Sequence, residues 1–380
     1  MFNSKSIRRH NTAALFHAIR QHPGTSQSAL RAMTSIDRST VSTVVHQLEA
    51  DGLLKRSRGK PSYGMGRPED QLEIEPAAGL LLGLAIARDG RFHVAAAGLD
   101  GIIHTSTEAA VRLDAGASED AVMAELERLR EAMPRPATPV RGIGILVEGA
   151  PAKGQPGPAA RSRIDRAMLA RIENFGGGPI EVAYDVHAFA LAERYTSAAG
   201  DLDDFLYIHV DSIVRGVPFL GGRIHHGITG LTQRFGHMIV DPNGRPAEIG
   251  GPGALNAYLS TGAILGRLAE FGVRARTLDD ALLASRANEA LVRTVLSEAG
   301  SYLGVAIANA LNVLDIGTVV LGGALVPIFS YLDPAIRQMI LRDVVDPLGR
   351  DAIVRPSLLG RKPVAEGAIA LAMQSFLPLV

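Results

Sequence analysis

The chain of 380 residues contains neither cysteine nor tryptophan. Without cysteine there can be no disulfide, no thiolate metal site and no cysteine nucleophile. A secreted disulfide scaffold is therefore excluded, and a reducing compartment suits the chain. Long apolar runs are missing too. The longest uncharged apolar stretch, residues 77–87, falls well short of the ~20 residues that a membrane span needs. The basic start MFNSKSIRRHN is not followed by the apolar core of a secretion signal. A cytoplasmic protein with no membrane association is expected.

Net charge is absent as well, with 39 Lys and Arg against 39 Asp and Glu. That balance conceals an asymmetry. Residues 1–68 hold eleven basic against three acidic side chains, a net +8 that leaves −8 on the remainder. A small basic head on a larger acidic body points to a polyanion as partner of the head; a solvated basic surface is the competing reading. What is present in quantity is apolar content, 47%, enough for well-buried cores in two or three domains at this length.

Residues 1–75 read as three helices and a hairpin. Leu15, Phe16 and Ile19 form one apolar stripe, ended by His22-Pro23-Gly24. Ser26 is placed to cap a short second helix carrying Ala29, Leu30 and Met33, and Asp37 to cap a third. In the third, Val41, Val44, Val45 and Leu48 recur at i, i+3, i+4 and i+7, and Gly52 supplies the stop. Arg38, Ser39, Thr40, Ser42, Thr43 and His46 are left to hydrogen-bond base edges or phosphates. Two short helices across a tight turn make a helix-turn-helix. The segments LLKRS and EDQLEIE around GKPSYGMGRP add a wing that would bring Lys60 and Arg67 to phosphates or the minor groove. A helical packing module with incidental charge is the alternative.

From residue 77 onward strands and helices alternate. LLLGLAIA, FHVAAAGLD and GIIHTSTEAAVR read as a meander, and a helix over Glu119–Met133 precedes the strand VRGIGILVEG. The strand PIEVAYD leads to a helix from Val186 to Tyr195, then to the strand FLYIHVD; a long helical segment through Ala308 leads to TVVLGGAL. Such alternation predicts an α/β body. Within it, FGHMIVDPNGRPAEIGGPGALNAYL (Phe235 to Leu259) has the His, Gly and Pro density of a small metal knuckle in a chain with no cysteine.

STVSTVVHQLEADGLL with its GRP wing, AYDVHAFALAERY, GLTQRFGHMIVDPNG and NVLDIGTVVLGGAL together resemble the ROK family of sugar kinases and sugar-responsive repressors, from about Ser6 to the C-terminus. The resemblance implies a winged helix-turn-helix (1–75) and a two-lobed actin-like ATPase body (77–380). Lobe one would take about 77–195 plus a C-terminal helix at 364–380, and lobe two about 196–363. Laid on the family's CxCGxxGC zinc knuckle, the three Cys positions are Ala247, Ile249 and Ala254, and the acidic sugar contact that follows is Asn256. These are not zinc ligands, so no metal and no other cofactor is expected.

The family's first phosphate loop, DxGGT, falls on Ala85 to Asp89, and its glycine-rich second on Asp211 to Val217. Glycine lets backbone N–H groups approach phosphate oxygens; Ile213, Val214, Val217 and the acidic Asp211 oppose that. The resemblance gives the sugar-contacting Asn-Asp pair as Tyr184-Asp185, retaining only the carboxylate. It also replaces a family Glu by Arg234 and keeps His237. Asp185 is open to two readings, ligand contact or helix cap, and so is His237, ligand contact or turn residue.

The function expected is a DNA-binding repressor of carbohydrate-related genes, a homodimer or homotetramer on operator DNA, whose body senses an effector without catalysing. An active carbohydrate kinase with an appended head is the alternative, and an effector-blind DNA-binding protein a third. Asp185, Arg234, His237 and Asn256 are the candidate effector contacts. With Arg88 and Arg215 at phosphate-loop positions, guanidinium–carboxylate or guanidinium–phosphate pairing favours an acidic effector, a sugar acid or sugar phosphate. The competing reading has these arginines facing outward or paired with Asp89 and Asp211.

Overall fold

The computed structural model describes residues 4–58, 70–109, 117–133, 138–149, 160–161, 164–196, 203–227 and 233–378. Three helices open the chain, α1 (Ser4–Gln21), α2 (Gln27–Thr34) and α3 (Arg38–Ala50). Each boundary has a local cause. The Ser26 hydroxyl accepts from the Ala29 amide, and Ser35 ends α2 in the left-handed region at φ 55°. Asp37 Oδ1 accepts from the Ser39 and Thr40 amides, both at 3.0 Å. Leu15, Phe16, Ile19, Leu30, Val41, Val44, Val45 and Leu48 are buried, and the three helices pack on one another. Strands β1 (Leu54–Arg58) and β2 (Asp70–Ile74) pair antiparallel, Leu54 opposite Ile74 and Arg58 opposite Asp70. The hairpin tip, with Lys60 and Arg67, lies outside the described residues.

Next come β3 (Leu80–Ile86), β4 (Phe92–Gly98), β5 (Ile103–Ala109), α4 (Ala117–Glu131), β6 (Val140–Val147), α5 (Arg166–Gly176), β7 (Ile180–Tyr184) and α6 (Asp185–Thr196). The strands form one sheet in the order β5-β4-β3-β6-β7, antiparallel through β5, β4 and β3 and parallel through β3, β6 and β7.

A second sheet has the order β10-β9-β8-β11-β12. It is built from β8 (Phe205–Val210), β9 (Val214–Leu220) and β10 (Arg223–Ile224), then α7 (Asn256–Leu259), α8 (Thr261–Glu270), α9 (Leu278–Leu314), β11 (Thr318–Gly323), α10 (Phe329–Asp343), α11 (Leu348–Asp351) and β12 (Ile353–Pro356). The 37-residue α9 starts with a capping box in which Thr277 and Asp280 satisfy each other's amides. Its inner face joins β8, β11 and α10 in a continuous aliphatic core.

The chain divides into two compact units, residues 1–201 with 364–380, and residues 202–363. The winged head falls within the first unit. The last helix, α12 (Val364–Phe376), completes that unit by lying on β3 and β6. Gly144 makes this possible: a Cβ there would fall on the carbonyl oxygen of Ala368. Among the described residues no helix is long and apolar enough to cross a membrane.

Candidate functional site

On α3 the structure separates a buried valine–leucine face from an exposed one carrying Arg38, Ser39, Ser42, Thr43 and His46. Thr40 is half-buried in the first turn. Two hydroxyl protons on this face are already engaged: Ser39 donates to Asp37 Oδ1 (2.5 Å) and Thr43 to the Ser39 carbonyl (2.8 Å). Their oxygens remain as acceptors. The Ser39 and Thr40 bonds hold the Asp37 carboxyl well below the usual carboxylate range, so the cap stays charged at the positive end of α3. Arg38 is exposed without an ion-pair partner among the described residues. Arg56, one of the basic residues of the head, has a different occupation. Its guanidinium bridges Glu49 on α3 and Asp70 on β2, which fastens the helix to the hairpin.

The stretch matching the first phosphate loop runs from the end of β3 into the tight turn before β4, where the amides of Ala87, Arg88 and Gly90 are engaged. Ala87 N–H donates to the Arg91 carbonyl (2.8 Å), Gly90 N–H to the Ala87 carbonyl (3.1 Å) and Arg88 N–H to Glu148 Oε2 (3.0 Å). The stretch matching the second is a loop only from Asp211 to Ile213; Val214 onward is strand β9. Asp211 N–H donates to the Ile213 carbonyl at 3.2 Å, Val214 N–H to Asn256 Oδ1 at 2.8 Å, and Gly216 N–H to the Gln233 carbonyl at 3.3 Å. A phosphate cradle needs such donors unoccupied and convergent.

Asp211 adds negative charge at that turn. Burial alone would raise its carboxyl, but the hydrogen bond and charge of His209, with Lys362 and Arg215, outweigh it and hold Asp211 below the ordinary range. His209 is buried and bridges the Tyr207 hydroxyl (3.3 Å) and Asp211 Oδ2 (3.0 Å). The two arginines at phosphate-loop positions therefore differ. Arg88 is exposed while Asp89 pairs with Arg91, and Arg215 is buried beside the Asp211 charge.

The candidate effector contacts fall in both units. Asp185, 4% exposed, opens α6 in the first, with Oδ1 accepting from the Val186 amide at 2.8 Å. Arg234 and His237 lie in the second, at the start and end of a single 3-10 turn, where the His237 N–H donates to the Arg234 carbonyl. Both side chains are exposed, and neither has a hydrogen-bonded or ionic partner among the described residues.

Asn256 is brought beneath this turn but is itself buried and engaged. Oδ1 holds the Val214 amide, and Nδ2 donates to the Ile249 carbonyl at 3.0 Å. Its position requires glycine at 236, since a Cβ there would collide with Asn256 Oδ1. Asn256 thus ties the 249–256 loop to β9, and one N–H and one lone pair are what it retains for a ligand.

Residues 238–258 keep the turns of a metal knuckle without its chemistry. Ala254, at the third Cys position, is fully buried and bridges to Ile239 as a strand pair. A zinc ion does not fit this donor set. The turn is held by a polar network instead: the Tyr258 hydroxyl accepts from the Arg245 amide (3.0 Å) and donates to Asp241 Oδ2 (3.3 Å). The Arg245 side chain pairs with Glu298, and the Tyr258 ring stacks on Tyr302 with centroids 3.7 Å apart.

Sequence reasoning missed this network, and it missed the contacts of Phe16 with Phe376, of His17 with the Leu377 carbonyl and of Arg20 with the Tyr195 carbonyl. A histidine inside the apolar stripe of α1 was the available signal.

A protein-family model for the ROK family matches residues 118–375, and one for the MarR family matches residues 10–61. The chain is 23% identical to the xylose repressor of Bacillus subtilis over 386 aligned positions, covering 98% of this chain and 97% of that protein. It is 24% identical to the DNA-binding transcriptional dual regulator NagC of Escherichia coli K12, covering 99% and 95%. Among solved structures, a ROK family transcriptional regulator described as a homolog of the E. coli MLC protein superposes with a TM-score of 0.78. It has 21% identity and covers 98% of this chain and 97% of that one.

Proposed function

The chain belongs to the ROK family, and from that premise we propose that it is a DNA-binding transcriptional repressor of carbohydrate-related genes, acting without kinase activity. The observation that carries the regulator reading is the Asp37-capped α3, which buries its valines and turns Arg38, Ser42, Thr43 and His46 to solvent beside a winged hairpin. That is the arrangement by which a helix reads a major groove. Relatives of matching length named xylose repressor and NagC agree with it. Loss of phosphoryl transfer is argued from the spent amides and the anionic Asp211 where phosphates would have to lie. The protein acts in the cytoplasm as a homodimer or homotetramer, because a helix-turn-helix reads paired half-sites.

In this reading the body senses an acidic sugar derivative. The exposed Arg234 and His237 side chains supply a guanidinium and an imidazole from one turn of the second unit; in the first unit, Asp185 is taken by itself as a hydroxyl contact. Asn256 then acts through the position of the turn more than through direct contact.

The decisive experiment recovers genomic fragments bound by the full-length protein and sequences them. A recurrent inverted repeat upstream of carbohydrate genes is expected; random fragments alone would overturn the regulator reading. A thermal-shift comparison of neutral sugars with uronic acids and sugar phosphates tests the sensor. Stabilisation by acids that is lost in Arg234→Ala is expected, and stabilisation by neutral sugars only would remove the acidic effector.

A further inference from the structure

The first helix of the head is seated on the ends of two body helices. Phe16 packs edge-on against Phe376 (5.9 Å between centroids, 85° between planes), and His17 Nε2 bonds the Leu377 carbonyl at 2.8 Å. Arg20 Nη2 donates to the carbonyl of Tyr195 (2.6 Å) while its guanidinium lies over that residue's ring (5.4 Å). Gln21 Nε2 donates to the Arg194 carbonyl at 3.2 Å. The Tyr195 hydroxyl in turn donates to Gln374 Oε1 at 2.5 Å, joining α6 to α12.

The carbonyls of Arg194 and Tyr195 belong to the last turn of α6, where a helix leaves four carbonyls without internal donors and carries the negative end of its dipole. The head therefore supplies two donors to the C-terminal carbonyls of α6, one of them cationic. Burial pulls the Arg20 guanidinium down to about 10, which leaves it charged at neutral pH. At the other end of the same 12-residue helix stands Asp185, its carboxylate on the first-turn amide of Val186. A helix of this length spans about 18 Å.

We propose that α6 is the rod through which occupancy at Asp185 reaches the DNA-reading head, with Arg20 and Gln21 as positioning residues that clamp its far end. The proposal rests on the reading of Asp185 as an effector contact and of the head as a DNA reader. A ligand that draws the Asp185 carboxylate off the Val186 amide moves the N-terminus of α6. Close packing of α6 against α12 and the sheet leaves rigid-body displacement as the accessible response. The two clamped carbonyls carry that displacement into α1, which packs against α3. Coupling of this kind is reciprocal, so DNA on the head must alter α6.

Reciprocity gives a test that needs no effector. Hydrogen–deuterium exchange of the full-length protein is followed over residues 185–196, free and bound to a genomic duplex that the protein itself has recovered. DNA should slow exchange in α6 by about threefold or more. The slowing should disappear in Gln21→Ala and in Arg20→Lys, which keeps the charge but loses the fork, while duplex affinity changes less than about threefold. A double-mutant cycle reads the same link from the other end: Asp185→Asn should shift duplex affinity in the wild-type background and not in Arg20→Lys. If DNA binds but α6 exchange is unchanged, or the slowing persists in both clamp variants, the rod is overturned. If no duplex is bound at all, the regulator reading fails first and takes this inference with it.

Discussion

Arg56 grips both carboxylate oxygens of Glu49, Nε to Oε1 at 3.0 Å and Nη2 to Oε2 at 2.8 Å, and reaches Asp70 with its remaining nitrogen at 3.2 Å. A residue that contributes to the basic charge of the head is thus a brace between α3 and the β1–β2 hairpin. Both side chains are about one-third exposed, so solvent screening limits the pair to roughly 1 kcal/mol. Arg56→Ala should lower the melting temperature slightly and weaken DNA binding through a misplaced wing, with the salt slope of binding unchanged. A slope reduced by about one would instead make Arg56 a phosphate contact. The Arg56 bond also holds the Glu49 carboxyl below its ordinary range. The contribution is therefore present above the unfolded carboxylate pKa and is lost as pH falls through the lower folded value.

Among the described residues Arg38 has no such partner, and it heads α3. Arg38→Ala should cost about 1–3 kcal/mol on the preferred sequence and relax specificity at one position, as loss of a base contact does. Arg67→Ala, a residue in the sequence segment between β1 and β2, should weaken all sequences alike and flatten the salt dependence. Gel-shift titrations at several salt concentrations separate the two, and unchanged affinity in both variants would refute the assignment of the head.

The knuckle without cysteine should be indifferent to metal. Exhaustive chelation is expected to leave the melting temperature unchanged, and elemental analysis to find no stoichiometric zinc. Tyr258→Phe, which removes one bond donated to Asp241 and one accepted from the Arg245 amide, should destabilise the protein by about 1–3 kcal/mol. A chelator-sensitive wild type, or a silent Tyr258→Phe, would mean that something other than this network holds the turn.

His17 makes the seat of the head sensitive to acid. Burial first, then the nearby charge of Arg20, lowers its pKa well below that of a free histidine. The folded junction therefore requires the neutral ring. Its contribution is complete above the ordinary histidine range and declines as pH falls through that range toward the lowered folded value. Wild type should lose more stability between about pH 7.5 and 5.5 than His17→Asn does, as read by thermal unfolding at each pH. Parallel losses in the two proteins would exclude His17 as the cause.

Features governed by nearby residues were legible in the sequence. Ser26 and Asp37 cap helices because of the amides two or three positions on, and Gly52 stops α3 through its own φ of 71°. The i, i+3, i+4, i+7 valine–leucine series placed the inner face of α3. Contacts across the chain were not legible. His17 meets a carbonyl 360 positions away and Arg20 one 175 positions away, and a backbone carbonyl carries no residue signature. Asn256 shows the same limit at a shorter range. Its residue type and place in the motif suggest a ligand contact, whereas its burial and its bond to Val214, 42 positions earlier, become visible only in the folded chain.

The placement of α12 has a consequence for synthesis. Residues 364–376 leave the ribosome after all of residues 202–363, yet they cover the sheet of the first unit and supply Phe376 and Leu377 to the seat of the head. Domains tend to fold as they emerge, but here the N-terminal unit must wait, its sheet uncovered, until the last helix arrives. A nascent or prematurely terminated chain therefore carries a DNA reader that has not yet been seated.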